Sequence, residues 1–280
     1  MLTIGIPLRK PNINQLNWVR DVISRMREHH PKIHFVISIH SSTDDHLIPE
    51  EPEVTVLHTS EQYSYDENVY LISQAAKTRY WMLLACTDRL LMNRLPDLIR
   101  ALEESPHNTT LFFTGAKQPA NCPQLLPERL GFLSSYVFNS DYFRRVCPRP
   151  RNYRGWIHVA VFLTALQSKE RITPLHFELV EEDLEPGFIK PWTAKGGYLI
   201  YQVSLARLIN QLLPRHPARS ACESQAIGRW PFDIIKALMQ GLKLTNRERR
   251  YITSWHRRQG GYGIIFFRLL SQIRKRYLHL

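Results

Sequence analysis

Five short apolar runs, separated by amphipathic or polar stretches, set the limits on what this chain can fold into. They are Leu2–Pro7, Ile33–Ile39, Val54–Leu57, Tyr80–Ala85 and Thr110–Thr114. Each is short, and Phe35-Val36-Ile37-Ser38-Ile39 is rich in β-branched residues, so each reads as a strand. Pro7 is read as the stop of the first. Between the runs, Asn14–His30 carries Leu16, Val19, Val22, Ile23 and Met26 at near-helical spacing, and Pro31 ends it. Asn68–Lys77 sets Val69, Ile72 and Ala76 on one side, and Leu95–Glu104 reads as a third helix. Strands alternating with helices predict an α/β fold: a mostly parallel sheet flanked by helices, with right-handed crossovers.

Beyond residue 115 the alternation loosens. Pro119, Pro123, Pro127, Pro148 and Pro150 mark irregular connections. Phe132–Phe138 reads as a strand, and Gly155–Gln167 as a helix with Trp156, Val159, Phe162, Leu163 and Leu166 at core spacing. Gly187–Gly197 is a loop, 198–213 a helix, and the composition shifts near residue 200. The expected organisation is a domain over 1–200, divided into halves 1–115 and 116–200, followed by a helical basic region over 201–280. At 280 residues the chain fits one large domain with or without an appendage.

No segment has the roughly 18 consecutive apolar residues that a membrane span needs. At the N-terminus an apolar hexamer precedes Arg9 and Lys10, the reverse of a secretory signal. Cys86, Cys122, Cys147 and Cys222 are far apart with no Cys-x-x-Cys pairing, which argues against structural zinc and for a reducing, cytoplasmic setting. The net charge of +12 is unevenly placed: Lys243 to the C-terminus holds ten Lys and Arg and one acid, Glu248, so that segment alone carries +9. Its Phe266, Leu269, Leu270, Ile273, Tyr277 and Leu280 fall at helical spacing, with Arg268, Arg274 and Lys275 off that face. A basic amphipathic helix of this kind suits an anionic membrane surface, or else packs on the domain with its charges solvated. No nucleic-acid-binding motif accompanies the charge.

Three apolar runs end in polar clusters: Pro7 with Arg9 and Lys10, Ile39 with His40-Ser41-Ser42-Thr43-Asp44-Asp45, and Ala85 with Cys86-Thr87-Asp88. In a parallel sheet all three lie on the C-terminal edge, where open α/β folds bind ligands. Each cluster also has a local reading. Asp88 suits a cap to a following helix, and Ser41–Asp45 an Asx-type turn. Glu67 and Asn68 suit a helix N-terminus.

The order of these blocks resembles the nucleotide-sugar-binding half of a family 2 glycosyltransferase with the GT-A fold, of the kind that builds bacterial surface polysaccharide. The opening strand Leu2-Thr3-Ile4-Gly5-Ile6-Pro7, the cluster Ser42-Thr43-Asp44-Asp45 and the series Glu67-Asn68, Ala75-Ala76, Tyr80–Leu84, Cys86-Thr87-Asp88 carry it. It covers residues 2–115 and extends loosely to Gly155-Trp156-Ile157-His158. The resemblance implies a GT-A-like sheet and inverting transfer of a sugar from a nucleotide diphosphate-sugar to a hydroxyl of a glycan or lipid-linked acceptor. It implies donor contacts at Pro7, Arg9, Ser42, Asp44, Asp45, Asn68 and Asp88. It implies Mg²⁺ or Mn²⁺ held by Asp88 with His158, because a hard divalent ion on the diphosphate prefers carboxylate oxygen and stabilises the leaving group. His158 and Asp183 are the catalytic candidates on the acceptor side, with Asp141, Glu178 and Glu181 as further acids. The expected location is cytoplasmic, peripheral on the inner face of the cell membrane, with no nucleic-acid partner. Cys86 and Ile39 stand where the family usually places acids, and no Glu-Asp pair follows residue 140. The competing expectation is therefore a non-catalytic GT-A-like binding or scaffold protein of a membrane glycan-assembly complex.

Overall fold

The structure, a computed structural model, describes residues 1–40, 48, 51–59, 63–86, 88–119, 122–149, 153–182, 197–227, 250 and 254. Its elements run β1 (Leu2–Arg9), α1 (Ile13–His29), β2 (His34–His40), β3 (Val54–Thr59), α2 (Tyr65–Ala75), β4 (Tyr80–Leu83), β5 (Asp88–Leu90), α3 (Leu95–Glu104), β6 (Thr109–Phe113), β7 (Ala116–Lys117), β8 (Leu126–Pro127), β9 (Tyr136–Asn139), α4 (Ser140–Val146), α5 (Ile157–Gln167), β10 (Arg171–Pro174), β11 (Val180–Glu182), α6 (Gly197–Leu212) and α7 (Arg219–Ile227).

Seven strands form one sheet in the order β10-β6-β9-β4-β1-β2-β3. The pairs β1–β2, β1–β4, β2–β3 and β10–β6 are parallel, and β9 runs antiparallel between β4 and β6. The architecture is a single α/β domain with a mostly parallel sheet, a GT-A-like topology. Two small antiparallel ribbons, β5–β11 and β7–β8, lie apart from the main sheet.

Side chains alternate across the strands and both faces are covered, so the strands are apolar almost throughout. Trp81, Leu83, Leu111, Phe113, Tyr136 and Phe138 face one core with residues of α2, α4, α5, α6 and α7. Tyr80, Met82, Phe112 and Val137 face the other with α1 and α3. Helix α5 is buried nearly all round, which explains why its apolar residues show no clear stripe. Residues 203–226 of α6 and α7 share the first core, and α6 itself spans residue 200.

Several local expectations shift. Pro7 does not stop β1, which continues to Arg9. Strand β4 pairs only with Leu2–Gly5, so at Pro7 one flank of β1 carries no ladder and the missing N–H is tolerated. Helix α2 starts at Tyr65 rather than Asn68, because Ser64 and Glu67 form a capping box. The strand expected over 132–138 is a 3-10 turn, Leu133–Ser135, followed by β9. Residues 187–196 of the expected loop and the amphipathic segment 266–280 lie outside the described residues.

Two contacts seat α2. The glycine at position 5 lets α2 lie directly on β1, since a Cβ there would overlap Ile72 Cγ2. Arg144 of α4 donates to the carbonyls of Ser73 (3.3 Å) and Ala76 (2.5 Å), capping the C-terminal end of α2.

Candidate functional site at the C-terminal edge of the sheet

Strands β1, β2, β3, β4, β6 and β10 all end on one edge. Helices α1, α2 and α5 each lead into a strand of this parallel set, so their N-termini lie on the same edge. The polar ends of β1 and β2 meet there. Lys10 follows β1 with φ 49° and donates its N–H to the His40 carbonyl at 3.1 Å. His40 ends β2 opposite Arg9 and is buried. Pro7 is half-buried and paired with Ser38. Ser42, Asp44 and Asp45 lie outside the described residues.

The segment after β4 is held in detail. Leu84 N–H donates to Gly5 O at 2.9 Å, and Asp88 N–H to Ala85 O at 2.9 Å, closing a turn. Asp88 is 2% exposed. Its Oδ2 accepts from the Ser134 hydroxyl at 2.5 Å, and the same hydroxyl accepts from Ala85 N–H at 3.2 Å. Burying a carboxylate is costly without such partners. Asp88 thus begins β5 with its backbone register fixed opposite Glu182. Cys86 is half-buried and receives Gln15 Nε2 at 3.3 Å, while the Gln15 carbonyl oxygen caps α1 by accepting from Asn12 N–H. Burial pushes the Cys86 thiol above its ordinary range, which disfavours a thiolate nucleophile.

On α2, three successive polar residues have three different tasks. Glu67 completes the capping box: its carboxylate accepts from Ser64 N–H at 2.7 Å, and hydrogen bonds from Ser64 hold its carboxyl below the usual range. Asn68 is buried and accepts from the Ser38 hydroxyl, tying α2 to β2; the structure puts its side chain into that contact. Asp66, 1% exposed, is the residue that sequence reasoning missed. Its Oδ2 accepts from Tyr153 N–H (2.7 Å) and Gly155 N–H (3.0 Å), and its Oδ1 from Ile157 N–H (3.1 Å). Burial raises its carboxyl and the three N–H bonds oppose that rise.

His158 stands in the first turn of α5 and is 2% exposed. Its Nε2 lies 3.4 Å from the Gly131 carbonyl, and its ring packs near Tyr136 and Trp156. Burial lowers it to about 4, so the ring is neutral at neutral pH. With the proton on Nε2, Nδ1 presents a lone pair, and among the described residues it has no hydrogen-bond partner. Asp88 and His158 therefore meet the same short segment, at Ser134 and Gly131 respectively.

The other acids separate clearly. Asp141 begins α4, where Ser140 N–H bonds Arg79 O at the start of β4, on the opposite edge of the sheet. Glu181 pairs with Arg89. Glu178 lies against Gly115, whose φ of 61° suits glycine; a Cβ there would come within 2.5 Å of its carboxylate. Burial and the neighbouring Glu128 raise the Glu178 carboxyl. Asp183 lies outside the described residues, one position beyond Glu182.

Among the described residues, no group of three or more His, Cys, Asp and Glu side chains converges as a metal cage. One buried carboxylate on a sheet edge still fits Mg²⁺, which is commonly held by one or two carboxylates and completed by substrate phosphates and water.

No protein-family model matches the chain, and no curated protein sequence matches it. Solved structures do. Residues 1–349 of S. aureus TarS align with a TM-score of 0.57 at 11% identity, covering 90% of this chain and 78% of that one. The same TarS fragment in complex with UDP-GlcNAc gives 0.55, 11%, 89% and 78%. Glucosyl-3-phosphoglycerate synthase from Mycobacterium tuberculosis, in complex with Mg²⁺ and UDP, gives 0.53 at 11% identity, covering 74% and 79%. At these identities the likeness is one of fold: the chain has an α/β architecture with GT-A-like topology.

Proposed function

We propose that the protein is a glycosyltransferase that moves a sugar from a nucleotide diphosphate-sugar to a hydroxyl of a glycan or lipid-linked acceptor. The observation that carries this reading is Asp88: a buried carboxylate, oriented by Ser134, on the ligand-binding edge immediately after β4. That TarS was solved with UDP-GlcNAc and the mycobacterial synthase with Mg²⁺ and UDP supports a nucleotide-sugar donor.

In this reading Asp88 holds a divalent ion on the diphosphate, with His158 Nδ1 as a second ligand or a proton acceptor. A divalent ion held there would supply charge stabilisation for the leaving diphosphate. Pro7, Arg9, Ser42, Asp44, Asp45 and Asn68 form the nucleoside side, the first five as donor contacts and Asn68 by bracing α2 against β2. On the acceptor side the base is Asp183 or Glu178. Asp183 directly follows Glu182, which pairs opposite Asp88, and Glu178 has a raised carboxyl against Gly115, two residues past β6. Removal of the proton from the acceptor hydroxyl accompanies its attack on the anomeric carbon, and the bond to the diphosphate breaks.

The basic segment 243–280 docks the enzyme on the cytoplasmic face of an anionic membrane. No helix among the described residues is long and apolar enough to cross one. A screen of nucleotide-sugars, read as nucleotide release with and without Mn²⁺, tests the assignment. Metal-stimulated release with one donor class supports it; no release and no binding of any nucleotide diphosphate favours a non-catalytic scaffold. That second reading draws on Cys86, which takes a position where a second acid would complete the metal site.

A further inference from the structure

We propose that Asp66 is a positioning residue for transfer: it holds segment 153–158 as an internal anion in a loop of backbone N–H groups, and so sets Trp156 and His158 against the acceptor side of the site. The functional half of this inference rests on the glycosyltransferase reading above.

Asp66 reaches a segment 87–91 residues away. Within it, Arg154 and Gly155 are consecutive left-handed residues, at φ 58° and 87°. For Arg154 that conformation costs on the order of 1–2 kcal/mol, so something must hold it. Left-handed turns of this kind aim backbone N–H groups to one side and make an anion-binding concavity. Here the anion is the protein's own carboxylate, which takes the N–H groups of Tyr153, Gly155 and Ile157.

The residues that emerge from this loop touch the site. Trp156 donates its indole N–H to Ser204 at 3.1 Å and lies so close to Gly131 that a Cβ there would come within 2.9 Å. His158 faces the Gly131 carbonyl, and three residues on, Ser134 holds Asp88. A continuous path thus runs from Asp66 through 153–158 and 131–134 to Asp88. A second consequence concerns the donor. The N-terminus of α5 already has its anion, so the diphosphate belongs on the β1–β4 side of the edge, beside Asp88, and not on α5.

The test uses the full chain and three variants, Asp66→Asn, Asp66→Ala and, as a control, Asp88→Ala. Asn keeps the shape and gives up the charge and one acceptor oxygen; Ala leaves the loop open to an added anion. Amide hydrogen exchange should quicken at least about tenfold at Tyr153, Gly155 and Ile157 in Asp66→Asn, with the interior of α5 unchanged. Nucleotide diphosphate binding in the absence of added metal should stay within about twofold of wild type. Acceptor-dependent kcat should fall about 100-fold, the scale expected for a misplacement near 1 Å. Formate should restore part of the transfer rate to Asp66→Ala and none to Asp88→Ala. The inference is overturned by wild-type kcat and acceptor KM in Asp66→Asn, or by unchanged exchange at the three amides. A wild type that turns over no nucleotide-sugar refutes the glycosyltransferase reading instead, while the exchange result still decides the clamp.

Discussion

Two buried aspartates stand on the same edge of the sheet, and they are held in different ways. Asp66 gives both oxygens to three backbone N–H groups of one loop. Asp88 receives a serine hydroxyl at Oδ2. Backbone amides are fixed in direction, so Asp66 cannot exchange partners without moving its loop. A hydroxyl rotates, and Ser134 already has a second contact, with Ala85 N–H. The first arrangement suits holding a structure, the second suits orienting a ligand to something that comes and goes. Sequence position does not separate them, since both are acids at the start of an element; the partner type does.

Substitution at the two aspartates should separate activity from stability. The largest expected effect is on activity: Asp88→Ala should lower metal-dependent transfer by 100-fold or more, on the order of 3 kcal/mol of lost charge stabilisation, with a small change in Tm. Asp66→Ala should do the reverse for stability. It orphans three N–H groups, that of Ile157 buried and those of Tyr153 and Gly155 part-buried, so chemical denaturation should show a loss of about 2–3 kcal/mol. Equal losses of stability in the two variants would erase the distinction.

His158 supplies a third test, through pH. Its folded value of about 4 lies below the ordinary 6.5, so between these values the unfolded chain binds the proton and the folded chain does not. Stability from this group is fully present above about pH 6.5 and is lost as pH falls toward 4, by about 1.4 kcal/mol per unit and about 3 kcal/mol in all. His158→Gln should flatten that limb in urea titrations at pH 7 and pH 5. Ser134→Ala comes next: metal affinity should drop about tenfold while Asp66-dependent exchange at residues 153–157 is unchanged. The smallest effect belongs to Gln15→Ala, which removes one half of a capping box and the contact to Cys86; about 0.5–1 kcal/mol of stability should go, with transfer near wild type.

The main-sheet strands and the helices up to residue 115 were legible because each carries its own apolar run or helical period, whatever the distance in sequence to its partner. Helix α2 was read three residues short, since Tyr65, Asp66 and Glu67 interrupt the apolar pattern while Ser64 and Glu67 cap it. The ribbons β5–β11 and β7–β8 were not legible at all: two- and three-residue strands carry no period, and in the first the partner lies about ninety residues away. Strand β9, short and antiparallel between two parallel neighbours, was read as part of 132–138, four residues early, because the 3-10 turn Leu133–Ser135 ahead of it carries no signal of its own. Asp88 was legible because a long apolar run delivers it to the edge. Asp66 was not, because its partners are backbone amides, which every residue but proline has and no side chain announces. The one available signal was the pairing of an acid at a helix start with a Gly-containing turn, Tyr153-Arg154-Gly155, ahead of an apolar helix.

In the proposed site Asp88 holds a divalent ion on a nucleotide diphosphate. Calorimetry of UDP with the full-length protein, with Mn²⁺ and with EDTA, for wild type and Asp88→Asn, tests it most directly. The account predicts binding strengthened at least about tenfold by Mn²⁺ in wild type, with that gain lost in Asp88→Asn while its fold is retained. Binding that ignores Mn²⁺ in the wild type, or that keeps its full metal gain in Asp88→Asn, would contradict it.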